Sequence, residues 1–314
     1  MLRRTLLAAA SSQRLRRAVT TAPQTRAIVD RYVAGETTAD AVRAARELRA
    51  AGLLVSLDYL GEVTADAGQA ADVAGSYVRL LAELAAAGLT GNGGCEVSVK
   101  ATAVGLSLPE HGEKTAAESI TRICAAARAA GTTVTLDAED HMAVAGTLRI
   151  AAEMRPDFPG LGCVVQARLR RSQADCGELA TPGTRVRLCK GAYDEPADVA
   201  HLKRQDVDVS YVRCLRTLMA GPGYPMIATH DPRLIDIATT LALMAGRSPD
   251  SFEYQMLYGI RPAEQRRLAG TGARVRVYVP FGVDWYAYLV RRLAERPGNL
   301  AFFLRSLAPG PRHR

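Results

Sequence analysis

Lysine is scarce in this chain. Of its 40 basic residues only four are lysine (Lys100, Lys114, Lys190 and Lys203), and the rest are arginine. That skew, beside abundant alanine, points to a compositional bias rather than to nucleic-acid recognition, because the arginines are scattered and no RNA-binding aromatic motif accompanies them. The net charge of +8 therefore suits an anionic ligand or a polar membrane surface equally well. A lysine that survives such a bias is a candidate for a specific task. Long apolar runs are also missing: Arg, Glu or Gly interrupts every Ala and Leu stretch short of the roughly 18 to 20 residues a bilayer crossing needs. A membrane-spanning helix is excluded.

The six cysteines (Cys95, Cys124, Cys163, Cys176, Cys189, Cys214) include no CxxC pair and mostly lie in apolar runs. They read as reduced, buried thiols of a cytoplasmic protein, and the lack of clustered Cys and His leaves little support for a metal site. No GxGxxG follows the first apolar segment, "LDYLGEVTADAG", so the main signature of a doubly wound dinucleotide-binding sheet is missing. Residues 1–29 contain six Arg and no acid, the composition of a mitochondrial transit peptide. An amphipathic N-terminal helix is the favoured reading, because helical periodicity continues into "AVRAARELRA".

What the chain does have is 314 residues, 48% of them apolar and 23% charged, enough for a sizeable core. Eight short apolar segments recur, at residues 53–60, 95–102, 132–140, 162–168, 185–193, 225–231, 252–259 and 274–282. Each runs into polar residues. Amphipathic Ala- and Leu-rich stretches separate them, such as "AAESITRICAAARAAG", which stops at Gly131 as a helix should. Strand and helix in alternation require a parallel sheet covered by helices, and eight repeats over about 230 residues predict an α/β chain closed into a (βα)8 barrel. An open doubly wound sheet is the alternative. The expected organisation is a helical preamble over residues 1–50, the barrel over 51–307 and a basic tail over 308–314.

In such a barrel the chemistry gathers where the loops leave the C-terminal strand ends. Lys100, Asp137, Gln166, Arg187 with Lys190, Thr229 with His230, Gln255 and Tyr278 all fall late in their strands or just after them. Lys100, closing "EVSVK", can be a Schiff-base nucleophile, a salt-bridge partner or a solvated end, and Asp137 in "TLDAED" is a candidate partner for it. "RLCKGAY" places Arg187 and Lys190 beside Gly191 and Ala192, whose small side chains let an anionic cofactor approach the backbone. His230 in "ATHDP" reads either as structural or as part of the site. In the last helix Tyr288, Arg291, Arg292 and Glu295 share one face, where paired arginines can clamp a carboxylate and a tyrosine can close over an apolar ring. A solvated face with an Arg291–Glu295 pair is the plainer reading.

These motifs, in order "VSLDYLGE", "VSVKATAVGL", "VTLDAED", "VVQARLRRS", "VRLCKGAY", "ATHDPRL", "FEYQMLYGIRP" and "YVPFGVDWYAYLVRRLAERPGN", resemble the FAD-dependent proline dehydrogenases from about residue 50 to about residue 305. The resemblance implies a distorted (βα)8 barrel that oxidises L-proline to Δ1-pyrroline-5-carboxylate, with hydride passing to the flavin. Lys100, Asp137, Tyr278, Tyr288, Arg291 and Arg292 match positions around the substrate, the two arginines holding its carboxylate. Ala138, Gln166, Arg187, Lys190, Gly191, Ala192, Thr229, His230 and Glu295 match positions that contact or support FAD, with Arg187 near the flavin N5. It also implies a quinone as final electron acceptor, which would bring the protein to the cytoplasmic face of a membrane without spanning it. A separate pyrroline-5-carboxylate dehydrogenase would act downstream. Tyr278 stands where hydroxyproline-preferring relatives carry a smaller residue, so proline is the expected substrate. Ala138 stands where many one-domain relatives have Met, and Asp194 where bifunctional ones have Trp. No general base stands out. Two other classes remain open on sequence grounds: a Schiff-base lyase using Lys100 or Lys190, and a basic binding protein without catalysis.

Overall fold

A computed structural model describes residues 29–61 and 64–294, the side chains of residues 291–294 excepted. Eight strands, β1 (Leu54–Tyr59), β2 (Cys95–Lys100), β3 (Val134–Asp137), β4 (Gly162–Gln166), β5 (Arg185–Cys189), β6 (Tyr224–Ala228), β7 (Glu253–Leu257) and β8 (Val275–Phe281), follow one another round a closed barrel. Every pairing is parallel, and β8 returns to β1 with Ser56 beside Tyr278. Each strand falls at one of the eight predicted segments. The barrel expectation holds, and the open-sheet alternative is set aside by the β1–β8 pairing.

The crossovers are helical: α2 (Ala67–Ala86), α3 (Gly112–Ala129), α4 (His141–Met154), α5 (Ser172–Leu179), α6 (Arg204–Ala220), α7 (Pro232–Met244) and α8 (Pro262–Gly270), with α1 (Thr38–Ala50) before the barrel and α9 (Trp285–Ala294) after it. Side-chain caps set several of the starts. Thr37 and Asp40 form a reciprocal capping box on α1, Asp66 accepts from Gln69 N–H, and Asp140 accepts from Met142 and Ala143 N–H. Asp231 caps α7, with Pro232 at the first helical position where its missing N–H costs nothing. No helix among the described residues is long and apolar enough to cross a membrane.

The two faces of the sheet have opposite chemistry, and period-two alternation explains how. In β8, Val275, Val277 and Val279 are buried in the main apolar core together with Ile120, Ile123, Leu215 and Ile235 of the surrounding helices. The alternate residues Arg276 and Tyr278 point into the barrel. Bulky branched residues usually fill such an interior. Here four carboxylates (Asp58, Glu96, Asp137, Glu253) meet four cations (Lys100, Arg185, Arg187, Arg276). Equal charge of each sign lets the barrel bury ions that would each be costly alone. A second apolar cluster joins Tyr32 and Val33 to Leu60, Ile260, Trp285, Tyr288 and Leu289, so α9 packs beside the start of the described chain. Five of the six cysteine thiols are buried, and Cys189 is half-buried.

Candidate active site

Arg187 is the centre of the rim. It is 4% exposed on β5, and its fork spans the barrel: Nε donates to Gln255 Oε1 at 2.5 Å, Nη1 to Asp137 Oδ1 at 2.6 Å and to Ser98 Oγ at 2.8 Å, and Nη2 to Ser56 Oγ at 3.2 Å. Tyr278 donates its hydroxyl to Asp137 Oδ2 at 2.6 Å while its ring lies 5.3 Å from the Arg187 guanidinium carbon. Burial, reinforced by the charges of Asp137 and Asp58, pushes the Tyr278 hydroxyl well above its ordinary range, so it stays a donor. The result is a cation and a phenol fixed at the open end of the barrel.

The expected Lys100–Asp137 pair does not form. Lys100 Nζ instead donates to both oxygens of Asp58, at 2.5 and 2.6 Å, and Asp137 is taken up by Arg187, Ser98 and Tyr278. Lys100 and Asp137 are register partners on adjacent strands, but the β1 carboxylate reaches the ammonium. Burial alone would lower the Lys100 ammonium, yet the carboxylates of Asp58 and Asp137 outweigh it and hold the group above its usual value. An amine nucleophile needs the opposite shift, so Lys100 does not suit the lyase alternative. Burial raises the Asp58 carboxyl, with Lys100 opposing and Asp137 adding to the rise. Ser56, Asp58, Ser98 and Gln255 complete the site, and the first three were not singled out in sequence. Their signal was present in "VSLDY" and "EVSVK", where polar residues alternate with apolar ones.

Round the next strands the rim is stitched from loop to loop. Glu139, one residue beyond Ala138, accepts from Thr102 N–H and hydroxyl, and its carbonyl accepts from Gln166 Nε2 at 2.6 Å. Gly191 has φ of +91°, and a Cβ there would lie 3.0 Å from Gln166 Oε1, so only glycine fits between β4 and the β5 loop. Lys190, beside Ala192 on that loop, pairs with Asp208 at 2.5 Å and Asp231 at 3.3 Å. Thr229 accepts from Asp231 N–H, and His230 Nε2 accepts from Leu257 N–H at 2.9 Å, which leaves Nδ1 to carry the ring proton. Glu195 closes the series: its two oxygens take the His141 N–H at 3.0 Å and the His141 Nδ1 at 2.5 Å.

Tyr288 is buried at the start of α9, and the backbone of Arg291 and Arg292 continues that helix. The side chains of Arg291 and Arg292, and all of Glu295, lie outside the described residues. Of the other sequence candidates, Lys100, Asp137, Ala138, Gln166, Lys190, Gly191, Ala192, Thr229 and His230 fall at the C-terminal ends of strands or in the loops that follow, whereas Arg187 and Tyr278, expected late in their strands, lie at the midpoints of β5 and β8 and reach the site by the length of their side chains.

A closed parallel barrel whose cations, phenol and carboxylates converge on that rim defines a barrel enzyme. The comparisons give the family. A family model described as proline dehydrogenase matches residues 41–305. The proline dehydrogenase of Deinococcus radiodurans is 38% identical over 285 residues, covering 90% of this chain and 91% of its own. Proline dehydrogenase 1 of Bacillus subtilis is 36% identical over 277 residues, covering 88% of this chain and 89% of its own. Among solved structures, proline utilization A from Bdellovibrio bacteriovorus, inactivated by N-propargylglycine, superposes with a TM-score of 0.80 at 24% identity. It covers 90% of this chain, which spans 34% of that protein, and the likeness speaks for the fold. The chain belongs to the proline dehydrogenase family.

Proposed function

We propose that the chain oxidises L-proline to Δ1-pyrroline-5-carboxylate with FAD as its cofactor, the first step of proline breakdown to glutamate. One observation carries the reading: in a chain of this family, Arg187 is held rigidly at the barrel mouth between Asp137, Tyr278 and Gln255. The donor set suits a flavin. Arg187 on β5 and Lys190 in the loop after it supply positive charge, Gln166 ends β4 and His230 follows β6, the two strands that pair with β5, and Gly191 leaves the β5 loop without a side chain. Ala138, Ala192, Thr229 and Glu295 complete the residues that would hold FAD. Bound there, FAD supplies the two-electron acceptor that no side chain provides.

The chain's own residues bind and orient. Arg291 and Arg292 take the proline carboxylate, the bidentate geometry that guanidinium favours. Tyr288 and Tyr278 bound the ring, and the bulk of Tyr278 disfavours a ring hydroxyl. Lys100, fixed by Asp58, and Asp137, fixed by Arg187, set the polar wall. Because these partners are in place before substrate arrives, the ring is held ready to react without reorganisation. Arg187 places a permanent cation where negative charge would otherwise be costly. A quinone is the fitting final acceptor, reached at the cytoplasmic face of a membrane, and a separate dehydrogenase consumes the product. Purified chain given FAD, L-proline and an artificial electron acceptor should form one pyrroline carboxylate per two electrons delivered. Absence of that product from folded, flavin-bound chain would overturn the reading.

A further inference from the structure

Arg187 is gripped from below as well as from the rim. Its Nε–H donates to Gln255 Oε1, and the same amide's Nε2 donates to Glu253 Oε1 at 2.6 Å, two residues earlier on β7. Glu253 in turn accepts from Arg276 Nε at 2.6 Å and Nη2 at 3.0 Å. Arg276 donates onward to the backbone carbonyls of Val55 at 2.9 Å and Gly93 at 3.1 Å. All four side chains are essentially out of contact with water: Arg187 is 4% exposed, Gln255 3%, Arg276 2% and Glu253 1%.

A glutamine amide is nearly symmetric in shape, so packing alone does not decide which end faces Arg187. The carboxylate decides it. Glu253 is an acceptor only, and with the amide reversed Gln255 would set oxygen against carboxylate and N–H against the Arg187 N–H. Both buried contacts would be lost, and each lost contact in a dry interior is costly. Glu253 must be ionised for this to work. Burial would raise its carboxyl, but Arg276 outweighs that and holds it below the ordinary glutamate range.

We propose that Glu253 is a positioning residue for the reaction: through the orientation of Gln255 it fixes the Nε edge of Arg187, and so aims the guanidinium at the cofactor from the floor of the barrel. The cofactor-facing role of Arg187 rests on the function proposed above, whereas the relay Arg276–Glu253–Gln255–Arg187 is a property of the barrel itself.

Glu253→Gln tests this, because the relay and the simple field of the lost charge predict opposite effects. Removing a carboxylate below Arg187 makes the site more positive, which raises the flavin midpoint potential and by itself favours flavin reduction. Glutamine at 253 is no longer acceptor-only: its N–H end must meet either Arg276 or Gln255, so the orientation of Gln255 is no longer enforced, and proline-driven flavin reduction should slow by about tenfold or more. The double variant Glu253→Gln, Gln255→Glu restores the carboxylate count and an obligate acceptor facing Arg187 Nε. It also serves where the single variant folds poorly. The relay predicts a raised potential and slowed reduction in Glu253→Gln with FAD affinity little changed, and reduction recovered at least about threefold over the single variant in the double variant. Reduction as fast as wild type in Glu253→Gln, or a double variant as slow as the single one, would overturn it. Wild-type chain that folds but binds no flavin would overturn the functional reading first, an outcome visible before any variant is made.

Discussion

Asp58 is 1% exposed, and both of its oxygens face Lys100 Nζ. Removing one member of such a pair leaves the other buried without compensation, which outweighs the modest worth of the pair itself. Lys100 keeps partial solvent access, so Asp58→Asn should lower unfolding free energy by about 2 kcal/mol, below the usual figure for a fully buried pair. Urea unfolding measures it, and an unchanged midpoint would mean that the pair is not holding Lys100. Asp58 alternates with apolar neighbours as openly as Lys100 does, but its partner is 42 residues away. Asp58 and Asp137 sit on the two strands that flank β2, and the choice between them is made by Arg187, which claims Asp137 from across the barrel.

The strands and helices were legible because each carries its own signal. Outward valines of β8 and the apolar stripes of α2 and α3 are local patterns, and the caps at Asp66, Asp140 and Asp231 are written within three residues of the helices they start. Contacts between loops carry no such signal. Glu195 lies on the β5 loop and takes both the N–H and the ring of His141 at the N-terminus of α4, where a carboxylate also faces the positive end of the helix dipole. That latch holds the loop carrying Lys190, Gly191 and Ala192. Glu195→Ala should therefore speed proteolytic cutting within residues 190–203 and weaken FAD binding by about tenfold, a cost of about 1.4 kcal/mol. Limited proteolysis and a flavin titration together check this. Unchanged cutting would show that the loop is held by other contacts, such as the Lys190–Asp208 pair.

At the scale of the whole molecule, the helices enclose an apolar layer and the barrel encloses an ionic one. Eight strands could be counted in advance, but the inward polarity could not be separated from ordinary solvated strand ends until the strands closed. The consequence is a dependence on acid. Burial would raise the Glu96 carboxyl, but Arg185, Arg276 and Arg187 outweigh it and hold the group well below its ordinary 4.5. A carboxyl lowered on folding adds stability that is complete above the unfolded value and is lost as pH falls below it toward the folded one. Unfolding free energy should thus decline below about pH 4.5, and Glu96→Gln should be less stable at pH 7 with a flatter acid limb. Parallel acid limbs in the two proteins would contradict this.

The central claim is that this balanced barrel presents a flavin and a proline to one another at its rim. The most direct measurement is the visible absorption spectrum of flavin-loaded chain, recorded without oxygen before and after adding L-proline. The flavin bands should bleach on adding proline and return when an electron acceptor is supplied. Bands that persist unchanged at saturating proline would contradict it.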